Sequence, residues 1–186
     1  MSRIVLVDTG TMQLTVPAIP LFIPEKATAV VGEIQRDYTL LALQYLAGVV
    51  SEKAPRYFGT LGQSFQAYPS GSTGGIEMIT GGGGAEIIGR VFSSLPYAIV
   101  MEEGRRAGAP MPPIAPIELW VRRKLGISGD EATGVAYAIA LTISRRGIRG
   151  RHYAREGFQQ AEPRIVQIFD EMGKGIRDAL AGEGAA

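Results

Sequence analysis

Apolar residues at helical spacing mark a long helix between Pro24 and Ala54. One stripe of apolar side chains repeats at intervals of four and three residues, and consists of Ile34, Tyr38, Leu41 and Tyr45. A second stripe on another face consists of Leu40, Leu43, Leu46 and Val50. Because a helix that is apolar on two faces needs more than one partner to cover it, we expect both stripes, including Leu41 and Tyr45, to be buried. At 1.5 Å per residue the helix would be about 45 Å long, which suggests contact with a neighbouring subunit.

Short runs rich in apolar residues, separated by glycine-rich loops, follow this helix. The runs cover residues 60–68, 76–80 and 85–93, with loops at residues 69–75 and 81–84. Glycine-rich loops between short strands are typical of antiparallel hairpins. The pattern therefore predicts an antiparallel β meander, with Leu61 in the core.

The apolar spacing of the remaining residues is that of helices. Helices are predicted at residues 95–103, at 116–125, from residue 128 or 130 to Gly147, and from residue 154 or 163 to Leu180. Trp120 lies three residues after Ile117 and five before Leu125, so we predict that it packs against the β meander. Tyr97 is predicted to belong to the core as well.

The first 23 residues are β-prone until three prolines interrupt them. Pro17, Pro20 and Pro24 cannot all lie in a central strand, which predicts an edge strand or an extended N-terminal arm. A plain strand packed on its own domain is an equal alternative. With residues 24–182 as a single domain and 183–186 as a flexible tail, the sequence predicts an α+β protein. Its parts are the arm, a long helix, the meander and C-terminal helices.

Composition removes most of the common catalytic groups. The chain has no Cys and one His, His152, which excludes a thiolate zinc site, a cysteine nucleophile and a histidine metal cluster. The glycine run 81–84 lacks the Lys of a phosphate-binding loop, and His152 lies in an arginine-rich turn without a nucleophile elbow. We therefore expect no catalytic residue, no metal site, no cofactor and a surface position for His152.

Membrane insertion is not expected either. The most apolar stretch runs from Tyr38 to Val50 and is shorter than the roughly 20 residues that a span requires. The first residues lack the long apolar region and cleavage site of a signal peptide, so synthesis in the cytoplasm without membrane contact is expected.

Charge is distributed unevenly although the formal net charge is +1. Residues 105–155 contain ten basic and three acidic residues, whereas the rest of the chain contains nine basic and fifteen acidic residues. The candidates for contact with a partner or with DNA are Arg105, Arg106, Arg145, Arg146, Arg149, Arg151 and Arg155. Such polarity suits a subunit that docks head to tail on copies or partners. The same arginines could neutralise DNA phosphates, and a solvated surface is a third interpretation.

Several sequence blocks resemble a phage family. The blocks are LPYAIVMEEG at residues 95–104, RRAGAPMPP at 105–113, IELWVRRKLG at 117–126, AYAIA at 136–140 and RRGIRGRHYA at 145–154. They are similar to tail-completion proteins of long-tailed bacteriophages, the family of the lambda minor tail protein Z. A weaker similarity lies at residues 57–64, YFGTLGQS, and the resemblance covers about residues 26–180.

The resemblance implies a structural virion protein of the neck or tail top, without enzymatic activity. Its implied partners are copies of itself in a ring, six-fold like the tail tube, together with connector or stopper, tail terminator and tail tube proteins. Genomic DNA would pass through the same junction. Open alternatives are a tail terminator or other minor tail protein, a small DNA-binding module that uses the turn at 145–155, and, third, an unrecognised hydrolase.

Overall fold

The computed structural model describes residues 3–7, 11–16, 25–56, 59–81 and 86–183, and the architecture is α+β, as predicted. The elements in chain order are β1 (Arg3–Val7), β2 (Thr11–Val16), α1 (Glu25–Lys53), α2 (Thr60–Gln63), β3 (Gly74–Gly81), β4 (Glu86–Ser93), α3 (Ala98–Glu103), β5 (Gly104–Arg105), α4 (Ile114–Leu125), α5 (Gly129–Arg146), β6 (Ile148–Arg149) and α6 (Tyr153–Glu183). No helix within these ranges is long and apolar enough to cross a membrane.

The chain forms two compact units. The main unit comprises Met1–Ala98 and His152–Ala186, and the inserted unit comprises Ile99–Arg151. The helices α1 and α6 come from the two separate segments of the main unit and pack against each other. The sequence between them can therefore form a unit of its own.

The four-stranded sheet of the main unit has the order β1-β2-β4-β3, and every neighbouring pair is antiparallel. It consists of two hairpins joined through β2 and β4, which corrects the expected meander. The N-terminal segment is thus in part a hairpin at the sheet edge, paired from Thr11↔Phe92 to Val16↔Ile87. Residues 17–24, the glycines at 82–84 and the tail at 184–186 lie outside the described residues.

The strand predicted at residues 60–68 is wrong, because this segment begins with the helical turn α2. Gly59 adopts a left-handed conformation with φ of 75°, and the hydroxyl of Ser64 donates a hydrogen bond to the carbonyl of Leu61 at 2.7 Å. Leu61 and Phe65 are 2% and 0% exposed. Their spacing of four residues places both on one side of a helical turn, so the same apolar pattern fits a helix as well as a strand.

The second apolar stripe on α1 is buried except at Leu40, which is half-buried, whereas the first stripe is exposed at two positions. Leu43, Leu46 and Val50 are at most 2% exposed, and they lie on the side of α1 that packs against the sheet and α6. Leu41 and Tyr45 are 46% and 39% exposed, so their predicted burial is wrong. The sheet and α6 cover the other side of α1, and the apolar period alone did not indicate which side that would be.

The first stripe is partly covered near its N-terminal end. Ile34 and Tyr38 pack against a cluster in which Met172 and Ile176 of α6 are buried.

Tyr97, also predicted in the core, is 44% exposed and hydrogen bonds with Thr60. Burial of the rest of the ring raises the pKa of Tyr97 above its usual value of 10.0, while the bond to Thr60 lowers it.

The helix α1 lies close to the central strand β4 at a glycine. A Cβ atom on Gly89 would be 2.5 Å from Cδ1 of Leu43, nearer than carbon atoms normally approach. On either side of Gly89 along the same face of the strand, Ile87 and Val91 are buried. The missing side chain therefore makes room for Leu43 and sets the distance between helix and sheet.

Candidate interaction surface

The inserted unit is built on a helical hairpin with small residues at its centre. Val121 of α4 and Ala132 and Ala136 of α5 are fully buried and form one cluster. Trp120 is half-buried and packs against this cluster, so the partner that the structure gives it is α5, where the β meander was expected. Alanines at intervals of four residues form a flat stripe that lets a second helix approach closely.

The last turn of α4 contains three basic residues that are not among the arginines predicted to contact a partner or DNA. Arg122, Arg123 and Lys124 lie in its last turn, where positive charge interacts favourably with the helix dipole. Arg122 also forms a 2.5 Å ion pair with Glu118, one turn earlier on the same helix. Gly126 follows in the left-handed conformation and ends the helix at the predicted position.

A two-stranded sheet brings the two arginine-bearing segments together. In this antiparallel pair Gly104 is opposite Arg149, and Arg105 is opposite Ile148. The loop after β5 continues along the end of α5, where the amide of Gly108 donates to the carbonyl of Ser144 at 2.8 Å. The hydroxyl of Ser144 donates in turn to the carbonyl of Ala109 at 2.7 Å. The loop and the turn after α5 thus form one hydrogen-bonded structure.

Two glycines make this close approach of the backbones sterically allowed. Gly147 ends α5 with φ of 75°, and a Cβ atom there would lie 2.3 Å from the carbonyl oxygen of Arg105. A Cβ atom on Gly150 would lie 2.6 Å from the carbonyl oxygen of Glu102. The next amide, that of Arg151, donates to the carbonyl of Met101 at 2.9 Å. Side chains at either glycine would separate the segments that carry the arginines.

We call the six arginines on this small sheet and its flanks the arginine cluster, which consists of Arg105, Arg106, Arg145, Arg146, Arg149 and Arg151. Arg105 is half-buried, and its guanidinium donates to the carbonyl of Pro110. The other five side chains are exposed, and none of the five forms an ion pair with another residue that the structure describes. The cluster is therefore an array of available positive charges held on a hydrogen-bonded backbone.

Arg155, the seventh predicted residue, belongs to the main unit. It lies in the first turn of α6, is exposed, and already takes part in an interaction within the described residues. It is therefore not a member of the arginine cluster. Arg155 follows Arg151 closely in the sequence, but the boundary between the two units lies between these residues.

His152 is half-buried, which corrects its predicted surface position. It is the residue before α6, has a positive φ of 50°, and its carbonyl accepts the amide hydrogen of Glu156 at 2.9 Å. Its Nδ1 atom is buried and has no hydrogen-bond partner among the described residues. Because its carbonyl accepts the hydrogen bond from Glu156, His152 is the residue at which the helical hydrogen bonding of α6 begins.

Glu102 was missed as a buried group. It is 2% exposed, and Glu103 beside it is exposed; both take part in interactions. Adjacent residues of a helix point about 100° apart, so one of two neighbouring carboxylates can be buried while the other is solvated. The adjacent pair in the sequence carried no signal that would indicate which one.

No protein-family profile, curated protein sequence or solved structure matches this chain.

Proposed function

We propose that the chain is a structural virion protein of the phage neck or tail top, which completes the tail and joins it to the head connector. The observation that carries this proposal is the arginine cluster. Two segments far apart in the sequence are hydrogen bonded together, and these segments and their flanks carry five exposed arginines. Fixed, complementary charges give a docking surface its specificity and steer its encounter with a partner.

The proposed partners are copies of the chain in a six-fold ring, the connector or stopper below the head, and the terminator or tube of the tail. The protein is made in the host cytoplasm and then becomes part of the virion. A contact between two different surfaces of identical subunits closes into a ring when the rotation between neighbours allows it. The absence of Cys and the single His agree with a structural role without catalysis or cofactor.

Carboxylates of a neighbouring protein are the proposed ligands of the arginine cluster. The planar guanidinium forms two parallel hydrogen bonds with a carboxylate, an arrangement that lysine cannot reproduce. DNA that passes through the neck must slide, so phosphate contacts would have to be weak and tolerant of lysine. The two ligands therefore differ in what they require of the side chain, although both are negative.

A DNA-binding module is the competing function, and one observation argues against it. Tyr153 is the aromatic residue that follows the arginines, and stacking on a base would require an exposed ring. Its side chain is 2% exposed, packs near Phe65 at a ring distance of 6.1 Å, and donates to the carbonyl of Ala98. A DNA affinity that falls steeply with salt would nevertheless favour the module over the neck protein.

The test is head–tail joining in a phage that lacks this gene. We expect separate heads and tails by electron microscopy, and joined particles with an added ring when the purified protein is supplied. The joint variant Arg145→Lys, Arg146→Lys, Arg149→Lys should lose joining, since charge without the planar fork is insufficient. The matched control Arg122→Lys, Arg123→Lys changes exposed arginines outside the cluster and should join normally.

Joined virions in the absence of the gene would contradict the proposed function. Full joining by the triple lysine variant would contradict only the carboxylate ligands and favour DNA as the ligand. The position of the ring, at the tail end or between the connector and the tail, separates a joining protein from a tail terminator.

A further inference from the structure

One exposed stripe of α1 is acidic toward the N-terminus of the helix and apolar near the middle of the helix. It consists of Glu33, Asp37, Leu41 and Tyr45, at intervals of four residues, and all four are exposed. Neither carboxylate forms an ion pair with another residue that the structure describes. We call these four residues the acidic face of α1. An apolar centre with unpaired charges at its end is the composition of a surface that binds a partner.

A second exposed stripe lies on α5 in the inserted unit, about 100° around the helix from the alanines that pack on α4. It consists of Tyr137, which is 50% exposed, the half-buried Leu141 and the exposed Arg145. Arg149 lies beyond the end of the helix, in β6, and the chain leaves the helical conformation at Gly147 before it. We call Tyr137, Leu141 and Arg145 the basic face of α5. It has an apolar start and a basic end.

The basic face matches the acidic face residue by residue when the helices run antiparallel. The opposed pairs are then Asp37 with Arg145, Leu41 with Leu141, and Tyr45 with Tyr137. The distance from the tyrosine to the charged residue is eight residues on each helix, or about 12 Å. Beyond the tyrosines, Gly48 is opposite Gly134, and neither has an atom within 4 Å of where its Cβ would be. Glycines at this point allow the two backbones to approach.

From these matched spacings and opposite charges we infer that the acidic face of α1 in one copy binds the basic face of α5 in a second copy, with the helices antiparallel. The inference rests on the proposed function, because it supplies the contact between neighbouring subunits of the ring. Each copy carries both faces, so the contact is heterologous and adds subunits head to tail until the ring closes.

The antiparallel direction makes one unfavourable pair, which provides a test. Glu52 of α1 falls opposite Asp130 of α5, and both are exposed. Like charges at this end oppose the contact, so Glu52→Lys should strengthen association by up to about fivefold, the effect of one exposed ion pair. In a parallel arrangement Glu52 would lie beside the arginines, and the same variant would weaken association.

Cysteine cross-linking tests the contact directly, because the chain has no cysteine. Tyr45→Cys and Tyr137→Cys proteins are mixed and oxidised, both as purified protein and within joined particles. We expect a mixed disulfide dimer to exceed both homodimers. Val166→Cys is the matched control, since Val166 is 49% exposed on α6 but outside the acidic face. A Tyr45–Tyr137 cross-link no more abundant than the Val166–Tyr137 cross-link, in both preparations, overturns the inference.

Charge reversal tests the proposed pair of Asp37 and Arg145. The single variants Asp37→Arg and Arg145→Asp should each weaken self-association by about fivefold or more, measured by sedimentation velocity. The double variant should return to within about threefold of the unchanged protein, because the pair is restored with its charges exchanged. Failure of the double variant to recover overturns the inference. Normal head–tail joining by that same variant would leave the proposed function standing.

Discussion

The main unit and the inserted unit are stabilised by different kinds of contact. The main unit buries large side chains, among them Leu46, Phe65 and Ile165. The described cluster of the inserted unit centres on Val121 and alanines, with Trp120 half-buried beside it, and its loops are joined by backbone hydrogen bonds. Burial of a large apolar side chain contributes about 1.5–3 kcal/mol, whereas an alanine contributes much less. Close packing of the backbone has to take a larger share in the inserted unit.

The two units also differ in charge. The inserted unit contains nine basic and five acidic residues, and the remainder of the chain contains ten basic and thirteen acidic residues. The unit with the smaller side chains in its cluster thus carries the positive surface. Because guanidinium groups have to be held in place to bind selectively, backbone hydrogen bonds and glycine contacts are a suitable support for them. The main unit therefore buries the large apolar side chains, whereas the inserted unit combines a cluster of small side chains with the exposed arginines.

The largest effect is expected in the core of the main unit. Leu46→Ala should lower the free energy of unfolding by about 2–5 kcal/mol, since it removes a side chain that is 2% exposed and leaves a cavity. Leu41→Ala on the same helix should cost less than about 1 kcal/mol, because Leu41 is 46% exposed. Urea unfolding followed by circular dichroism measures both. Equal losses would show that the two stripes of α1 are equally buried.

The next largest effect is expected at the backbone of the inserted unit. Gly147→Ala should destabilise that unit by about 3 kcal/mol, because it adds a Cβ atom against the carbonyl of Arg105 to a strained φ. Gly108→Ala is the control, since Gly108 has nearly the same φ, 77°, and open space around it. It should cost only about 1–2 kcal/mol. Hydrogen exchange should accelerate at the Arg151 amide, and unchanged exchange there would contradict the role of Gly147.

A smaller loss is expected at Trp120. Trp120→Ala should cost about 2 kcal/mol, less than a fully buried tryptophan, because the ring is half-buried against alanines. Its exposed neighbour Leu119 provides the control, and Leu119→Ala should change stability by no more than about 0.5 kcal/mol. Thermal unfolding followed by tryptophan fluorescence in the unchanged protein and by circular dichroism in both variants measures the difference. A loss above about 4 kcal/mol would indicate deep burial.

The smallest effect is expected at His152, between the two units in the sequence. His152→Ala should cost at most about 1 kcal/mol and leave head–tail joining intact, in agreement with a structural role. His152→Gly should be more stable than His152→Ala, because glycine adopts the positive φ of 50° without steric strain. The melting temperatures of the two variants provide the comparison. A less stable glycine variant would show that the left-handed backbone is not the source of strain.

The arginine cluster could be predicted as a set but not as an arrangement. Residues 105–155 are visibly basic in the sequence, and six of the seven predicted arginines lie together in the inserted unit. The pairing of Arg105 with Ile148 depends on two strands of two residues each, which are too short to leave a periodic pattern. The glycines that permit the pairing could be read only as helix ends, since their close contacts are with distant backbone.

The sequence by itself determined the α+β class, the long helix α1 and the ends of α4 and α5. These features depend on local signals: apolar residues at helical spacing, Pro24 before α1, and Gly126 and Gly147 after the later helices. Only the tertiary structure decided which stripe of α1 is buried, that residues 60–63 form a helical turn, and which strands are neighbours. Periodicity reveals that a face is apolar, but the element that covers it comes from elsewhere in the chain, and its choice depends on the packing of the whole unit.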